Sequence, residues 1–254
     1  TKTDLVNNDS FLIEDSEVSY AKKKSRWVGI KSTLKTYFDG IYIMTNYGVS
    51  WDESADTYAR TGATLGQPVG QTLSTPYLPI QRSMRRCVVL DNGTVNYYLG
   101  ATDSTKKEDM ITASNLTGAD GQVMVEIPKF WYRYAYAGTT HTWSISPVPL
   151  TGFSVPPAFL SDAVEKSYCY IGAYEGILYD VSGAAYTDGS AEQVKDFTAT
   201  TGDKLSSVSG FFPVTNGTRA NFRAIAANRG TGWSQIFIDG LSALQLLYLI
   251  EYAS

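Results

Sequence analysis

Histidine is nearly missing from this sequence: His141 stands alone in 254 residues. Imidazole-based metal centres and Ser-His-Asp machinery therefore have almost no material to draw on. His141 itself reads as part of a Thr-rich turn, GTTHTW. Cysteine is equally scarce. Cys87 and Cys169 are widely separated, which is neither a zinc spacing nor a disulfide framework, so they read as two buried reduced thiols. Charged residues make up only 18% of the chain and the net charge is −4, so electrostatics give no reason to expect nucleic acid as a partner. Long apolar runs are missing too. No stretch reaches the ~20 apolar residues a bilayer-crossing helix needs, and residues 1–30 contain no apolar h-region. There is no GxxxxGK[ST] and no GxGxxG after a strand, so nucleotide binding has no support. The DNGT, ADGQ and TDGS segments lack the alternating ligand spacing of a calcium loop and read as turns. No cofactor and no metal is expected.

What is present is a globular composition, 43% hydrophobic, with 18 tyrosines and 22 glycines. Abundant Tyr, Thr, Ser and Gly with few charges suits β-strands, tight turns and extracellular or virion surfaces.

Two core helices organise the end of the chain. The first is expected from an N-cap at Thr215 or Asn216, through Phe222, Ile225 and Ala226, to Gly230 as the C′ glycine. The second follows Asp239-Gly240, with Ser242 and Gln245 at capping-box spacing. Its body, 241–252, is apolar on nearly every face, which predicts burial. A buried helix ending beside Ser254 predicts that more chain or a neighbouring subunit covers it.

At the other end, residues 1–24 read as an extended leader, and the basic run at 22–26 as a solvated helix start. Trp27, Ile30, Leu34, Tyr37, Ile41 and Met44 then alternate steps of three and four. That is the a/d seam of a short coiled coil, with an amphipathic helix packed on its own domain as the alternative. Tyr and Trp in the seam favour a wider bundle than a dimer, hence a trimer.

Between these ends the character is β. Residues 48–62 alternate in part, and 63–79 read as a Gly/Pro loop. Residues 85–99 predict a hairpin around Asn92-Gly93 with a type I′ turn. Residues 122–137 predict a central strand pair or one long strand bent at Pro128, with 143–146 paired to it. Residues 167–179 predict a strand bent at Gly172 and Gly176, and 181–209 a polar surface excursion. Strands precede helices without βαβ alternation, so the class is α+β with mainly antiparallel sheet. The domains divide as 1–46, leader and coiled-coil-like helix, and 47–254, the distal domain.

Candidate chemistry is thin. Asp52, Glu53, Asp56, Glu126, Glu175 and Asp180 are the candidate carboxylates; most read as strand-end or surface groups, with a glycosidase pair as the lesser alternative. Aromatics carry the better signal, because Tyr and Trp pair a flat apolar face with one polar handle. Tyr136, Trp143, Tyr174 and Trp233 lie near expected turns and are the candidate ligand contacts, with core packing as the alternative for each.

The succession GQVMVEIPKFWYRY (121–134), GFSVPPAF (152–159), YIGAYEG (170–176), GDKLSSVSG (202–210), TRANFRAIAANRGTGW (218–233) and LSALQLLYLIEYAS (241–254) resembles a family of phage and prophage tail-fibre proteins. Their domain has the C-type-lectin fold, shared with formylglycine-generating enzymes and with the variable proteins of diversity-generating retroelements. FLIEDSEVSYAKKK followed by LKTYFDGIY also resembles fibre N-termini. The resemblance implies a C-type-lectin-like α+β fold with antiparallel strands and two core helices, preceded by an N-terminal oligomerisation segment. It implies further strands and a Trp-rich motif beyond the EYAS helix. It carries no enzyme activity across, since neither Cys87 nor Cys169 matches the catalytic cysteines of formylglycine-generating enzymes.

The expected function is therefore a non-enzymatic tail-fibre or receptor-binding virion protein that displays a lectin-like domain for host attachment. The alternatives are a structural baseplate or decoration adaptor and, behind it, a polysaccharide-degrading tail enzyme. Expected partners are its own copies in a trimer, other virion proteins and a host surface protein or glycan, with no nucleic acid and no membrane insertion. The expected location is the virion, after assembly in the host cytoplasm.

Overall fold

The computed structural model describes residues 46–74, 77–161, 164–189 and 194–254. The seam positions Trp27, Ile30, Leu34, Tyr37, Ile41 and Met44 lie outside the described residues, and the oligomerisation segment with them.

The described chain is α+β, mostly antiparallel sheet with few helices. One four-stranded sheet joins β1 (Tyr47–Asp52), β2 (Thr57–Gly62), β6 (Trp131–Ala137) and β7 (Thr140–Ser146) in the order β2-β1-β7-β6. A second joins β3 (Arg85–Val89), β4 (Val95–Tyr98), β5 (Gln122–Pro128) and β10 (Tyr168–Gly172) in the order β10-β5-β3-β4. Strands β11 (Ile177–Asp180), β12 (Ala185–Thr187) and β13 (Lys204–Ser206) form a small third sheet, and β8 (Leu160–Ser161) pairs with β9 (Val164–Glu165). The helices are α1 (Pro79–Ser83), α2 (Arg219–Ala227) and α3 (Ile238–Tyr252).

Several expectations shift in the structure. Residues 122–137 are two strands in different sheets. Pro128, which has no N–H to donate, ends β5, and the chain crosses to β6 with Ile127 and Phe130 both fully buried. Pairing of the 143–146 region with the second half holds, as β7 against β6. In the 85–99 hairpin the turn is not type I′. Gly93 alone has positive φ, at 82°, and its N–H bonds the Leu90 carbonyl at 2.8 Å. That is a three-residue loop with glycine in the left-handed position. The 167–179 stretch likewise splits between β10 and β11, and 181–209 holds β12 and β13 rather than a plain excursion. Asp203, buried there, accepts from the Val181 and Asp196 N–H groups at 3.1 and 2.8 Å.

Both late helices are present with moved starts. Thr218, not Thr215 or Asn216, caps α2 in a reciprocal box with Asn221. Asn216 sits at φ 55°, a left-handed turn incompatible with the extended N-cap. The second helix begins at Ile238, so Asp239 lies in its first turn, where the helix dipole favours a carboxylate. Ser242 and Gln245 are interior positions. This helix is not buried all round: Ala243, Leu247 and Ile250 are buried, while Ile238, Leu241 and Tyr248 are exposed.

The main core lies between α3 and the two large sheets, through Tyr47, Val49, Ile127, Phe130, Ile145 and Phe159. Phe130 meets Phe159 edge to face, with centroids 5.3 Å apart. Arg60 fastens α3 to the first sheet. Its guanidinium donates to the Ile250 and Glu251 carbonyls, both at 2.9 Å, among the last of the helix that have no intrahelical partner.

Candidate functional site

Strand alternation and one tight turn build a cluster of six rings on the first sheet. The β6–β7 hairpin turns through Gly138 and Thr139, with positive φ (62°) at Gly138 alone of the two. Glycine at the first central position is the signature of the type II′ turn, whose twist suits a two-residue hairpin. The resulting register sets Tyr136 opposite His141 and Tyr134 opposite Trp143. On the other side of β7, Trp51 faces His141 and Val49 faces Trp143, while Tyr58 of β2 faces Trp51. Residues two apart share a face. Tyr47, Val49 and Trp51 therefore share theirs with Ile145, Trp143 and His141. Helix α3 packs on the Tyr47–Ile145 end, where both side chains are fully buried. At the His141 end the aromatic face emerges into solvent, with Tyr134 49% and Tyr136 55% exposed.

The rings stack on one another. His141 lies 5.2 Å from Trp51 and 5.7 Å from Trp143, centroid to centroid, with interplanar angles of 28° and 12°. Tyr136 is 4.6 Å from His141, Tyr134 5.6 Å from Trp143, and Tyr58 6.3 Å from Trp51. Glu53 closes the cluster from the β1–β2 turn. Tyr136 donates its hydroxyl proton to Glu53 Oε1 at 3.0 Å, and Glu53 Oε2 is 3.3 Å from His141 Nε2. The bond to Glu53 pushes the Tyr136 phenol above its ordinary value, since losing the proton would set two anions together. On the far side of the imidazole, Nδ1 is 2.8 Å from the Tyr134 hydroxyl. One tautomer serves both contacts: Tyr134 donates to Nδ1, and Nε2–H donates to Glu53.

The turn carrying Glu53 is itself held. Asp52 Oδ1 accepts the Ser54 hydroxyl and N–H at 2.8 and 2.9 Å, which keeps its carboxyl below the usual range. Asp56 accepts Trp51 Nε1–H at 3.0 Å, and the Glu53 N–H bonds Thr139 O at 3.0 Å, tying together the two turns that flank the cluster.

Chemically, Tyr134, His141 and Glu53 form a hydroxyl–base–carboxylate chain, the connectivity that activates a nucleophile in other settings. Here the hydroxyl is on a ring half open to solvent, without the enclosure that strengthens such groups in a reaction site. The arrangement instead presents preorganised hydroxyls, a carboxylate and ring surface from rigid strands, which is the make-up of a recognition surface.

Of the four aromatics singled out from sequence, the structure brings Tyr136 and Trp143 together here. Tyr174 and Trp233 lie elsewhere, along a groove of about 480 Å³ that Glu175 and Phe222 also line. Trp233 donates Nε1–H to the Asp91 carbonyl at 2.8 Å and packs on Cys87, Val89 and Met124, so most of it serves packing. Among the carboxylates, Glu126 is buried, accepting the hydroxyls of Tyr98 and Tyr170 at 3.0 and 2.8 Å, and Asp180 accepts the hydroxyl of Ser182. Burial pushes the Cys87 thiol up to about 12 and the Cys169 thiol up to about 11, which makes both poor nucleophiles. Trp51, Tyr58, Tyr134 and His141 went unselected in the sequence. For Tyr134 and His141 the signal was the two-residue spacing of Tyr132, Tyr134 and Tyr136 against His141 and Trp143 across Gly138, and His141 belongs to the strand, not the turn; Trp51 and Tyr58 join only through the pairing of β1 with β7 and β2. Among the described residues no group of His, Cys, Asp and Glu is placed to hold a metal, and no helix is long and apolar enough to cross a membrane.

Comparison of the chain with family models, with curated proteins and with solved structures gives no match.

Proposed function

We propose that the protein is a non-enzymatic receptor-binding component of a phage tail fibre or a related virion part. It displays a C-type-lectin-like domain for host attachment, with its copies joined as a trimer through the N-terminal seam. The sequence resemblance supports the class. The observation that carries the attachment role is the ring cluster: Trp51, Tyr58, Tyr134, Tyr136, His141 and Trp143, with Glu53, on the solvent end of a rigid sheet. Tyr and Trp there offer large contact area with few rotatable bonds to freeze on binding.

The test is adsorption of fluorescently labelled protein to a panel of bacterial strains. Binding to a subset is expected. Tyr136→Ala should cut it at least ~10-fold, the loss of one strong interface contact. Its unfolding midpoint should barely move, because Tyr136 is 55% exposed. Adsorption that is the same with Tyr136→Ala, or to no strain at all, sinks attachment through this face.

A structural-adaptor role has one observation in its favour. Ile236, Phe237, Ile238 and Leu241 form an exposed apolar strip at the start of α3. In that role the protein would bind another virion component through the strip, and Tyr136→Ala would leave that binding intact.

A further inference from the structure

The ring cluster continues beyond Tyr134 and Trp143. Those two side chains, together with Tyr132, also line a groove of about 470 Å³. Pro156 and Pro157 form one wall. The other wall is the face of α3 that carries Asp239, Ser242 and Gln245 above Leu246 and Leu249. We propose that cluster and groove are one extended site for a linear, uncharged saccharide chain. This rests on the attachment reading and names its ligand.

Length is the first argument. Tyr132, Tyr134 and Tyr136 follow one another at alternate positions of one strand. Two steps of two residues make ~13 Å at ~3.3 Å per residue. That is longer than a single pyranose ring, and the groove extends it under α3. The second argument is surface chemistry. Rings and prolines present apolar faces to the C–H surfaces of sugars. The Tyr134 and Tyr136 hydroxyls, Ser242, the Gln245 amide and the carboxylates of Glu53 and Asp239 present hydrogen-bonding groups at several points along the way. Apolar walls with a few placed polar groups are the composition of small-ligand sites. The third argument is charge. Glu53 lies in the cluster and Asp239 in the groove, and no lysine or arginine lines the groove among the described residues. A uronate or sialate chain would set its carboxylates beside these two without a compensating cation, which penalises it. A neutral chain meets no such penalty, and its hydroxyls donate to the carboxylates.

The experiment is calorimetric titration of the full chain with neutral linear glucan and N-acetylglucosamine oligomers, from disaccharide to hexasaccharide. Oligogalacturonates of the same lengths are titrated in parallel. At least one neutral series should tighten ~10-fold or more from disaccharide to hexasaccharide, and the galacturonates should bind ~10-fold more weakly or not at all. Ser242→Trp fills the groove from an exposed helix position. It should abolish the gain in affinity with length. Tyr136→Ala should weaken every length. Melting curves on both variants establish that they fold. Affinity independent of length, a Ser242→Trp variant that keeps the gain, or equal binding of galacturonates overturns the proposal. So does absence of neutral-oligomer binding. If cell adsorption still depends on Tyr136 in that case, the attachment reading stands and its ligand is a protein surface. If adsorption too is insensitive to Tyr136, both readings fail.

Discussion

Five of the aspartates among the described residues act on the chain just ahead of them. Asp52, Asp103, Asp109, Asp180 and Asp196 each accept the hydroxyl or N–H of a Ser or Thr two or three residues later. These are local turns in which the side chain replaces a backbone acceptor. In all five the Ser or Thr hydroxyl bond is the largest influence on the carboxyl, and it lowers the pKa below the ordinary 3.8. A depressed folded-state pKa contributes stability above the unfolded value and loses it as pH falls through the folded one. The melting temperature should therefore hold down to about pH 4 and decline below it. Thr112→Val, which removes the hydroxyl that Asp109 accepts, should shrink that decline, and an identical acid limb in the variant would show that this bond does not contribute. The alkaline side has a separate source. Burial raises Cys87 from its ordinary 9.0 to about 12. A raised thiol contributes stability below pH 9 and loses it progressively from 9 to 12 as the unfolded chain ionises first. Cys87→Ala should flatten the alkaline limb of a melting-temperature profile even though it lowers stability at neutral pH. Equal slopes in the two proteins would remove Cys87 from the account.

At the scale of elements, the bond between α3 and the first sheet turns on Arg60. Its side chain is buried, and it reaches four carbonyls: Pro68 and Gln71 in the loop, Ile250 and Glu251 in the helix. Charge-assisted bonds of this kind contribute roughly 1.5–3 kcal/mol each, and an orphaned buried acceptor costs a similar amount. Arg60→Ala should cost about 3 kcal/mol, a fall of about 6–12 °C at ~2–4 °C per kcal/mol for a domain of this size. A fall under ~2 °C would mean that water satisfies those carbonyls and that packing alone seats the helix. Arg60 anchors the C-terminal end of α3, and earlier turns of the same helix wall the proposed saccharide groove, so a lesser loss on Arg60→Lys should appear in ligand affinity as well as in stability.

How far these elements were legible follows from how local their signals are. Both late helices show in the sequence because caps and a dense apolar run lie within a few residues of each other. Their starts do not, since Asn216 takes a left-handed turn and Asp239 a first-turn position, choices made by tertiary fit. Pairing of β6 with β7 is legible from alternation. Assignment of β5 and β6 to different sheets is not, because Pro128 marks a break without saying where each half goes. Strands of three residues such as β12 and β13 are too short to show a period. The ring cluster was half legible for a related reason. Tyr136 and Trp143 stood out near a turn, but Trp51 and Tyr58 arrive from eighty residues away through the register of β1 with β7. No spacing rule within one segment reports that.

At the scale of the whole molecule, one cluster on one domain would be a modest adhesive under the proposed function. A single site on an exposed sheet face has ring and hydroxyl contacts to set against the freedom its ligand loses. Attachment to a cell surface gains far more from repetition: joining copies makes the second and third contacts intramolecular, and avidity then exceeds single-site affinity by roughly 10²–10⁴ where the geometry permits simultaneous contact. The seam of Trp27, Ile30, Leu34, Tyr37 and Ile41 is the proposed joint. Native mass spectrometry of the intact chain should give a species of about three times 27.8 kDa. Leu34→Asp places a charge in the apolar seam and should return the mass to that of one chain. Because Leu34 is not one of the residues of the cluster or the groove, the monomeric variant should keep the oligosaccharide affinity of the parent while its adsorption to cells falls ~100-fold or more. If the mass stays that of one chain in both proteins, the seam is an amphipathic helix packed on its own domain, and attachment has to rest on single-site affinity alone. If the trimer forms but Leu34→Asp leaves adsorption intact, repetition is not what holds the protein to the cell. The ring cluster would then need nanomolar affinity by itself, which the same calorimetry measures directly.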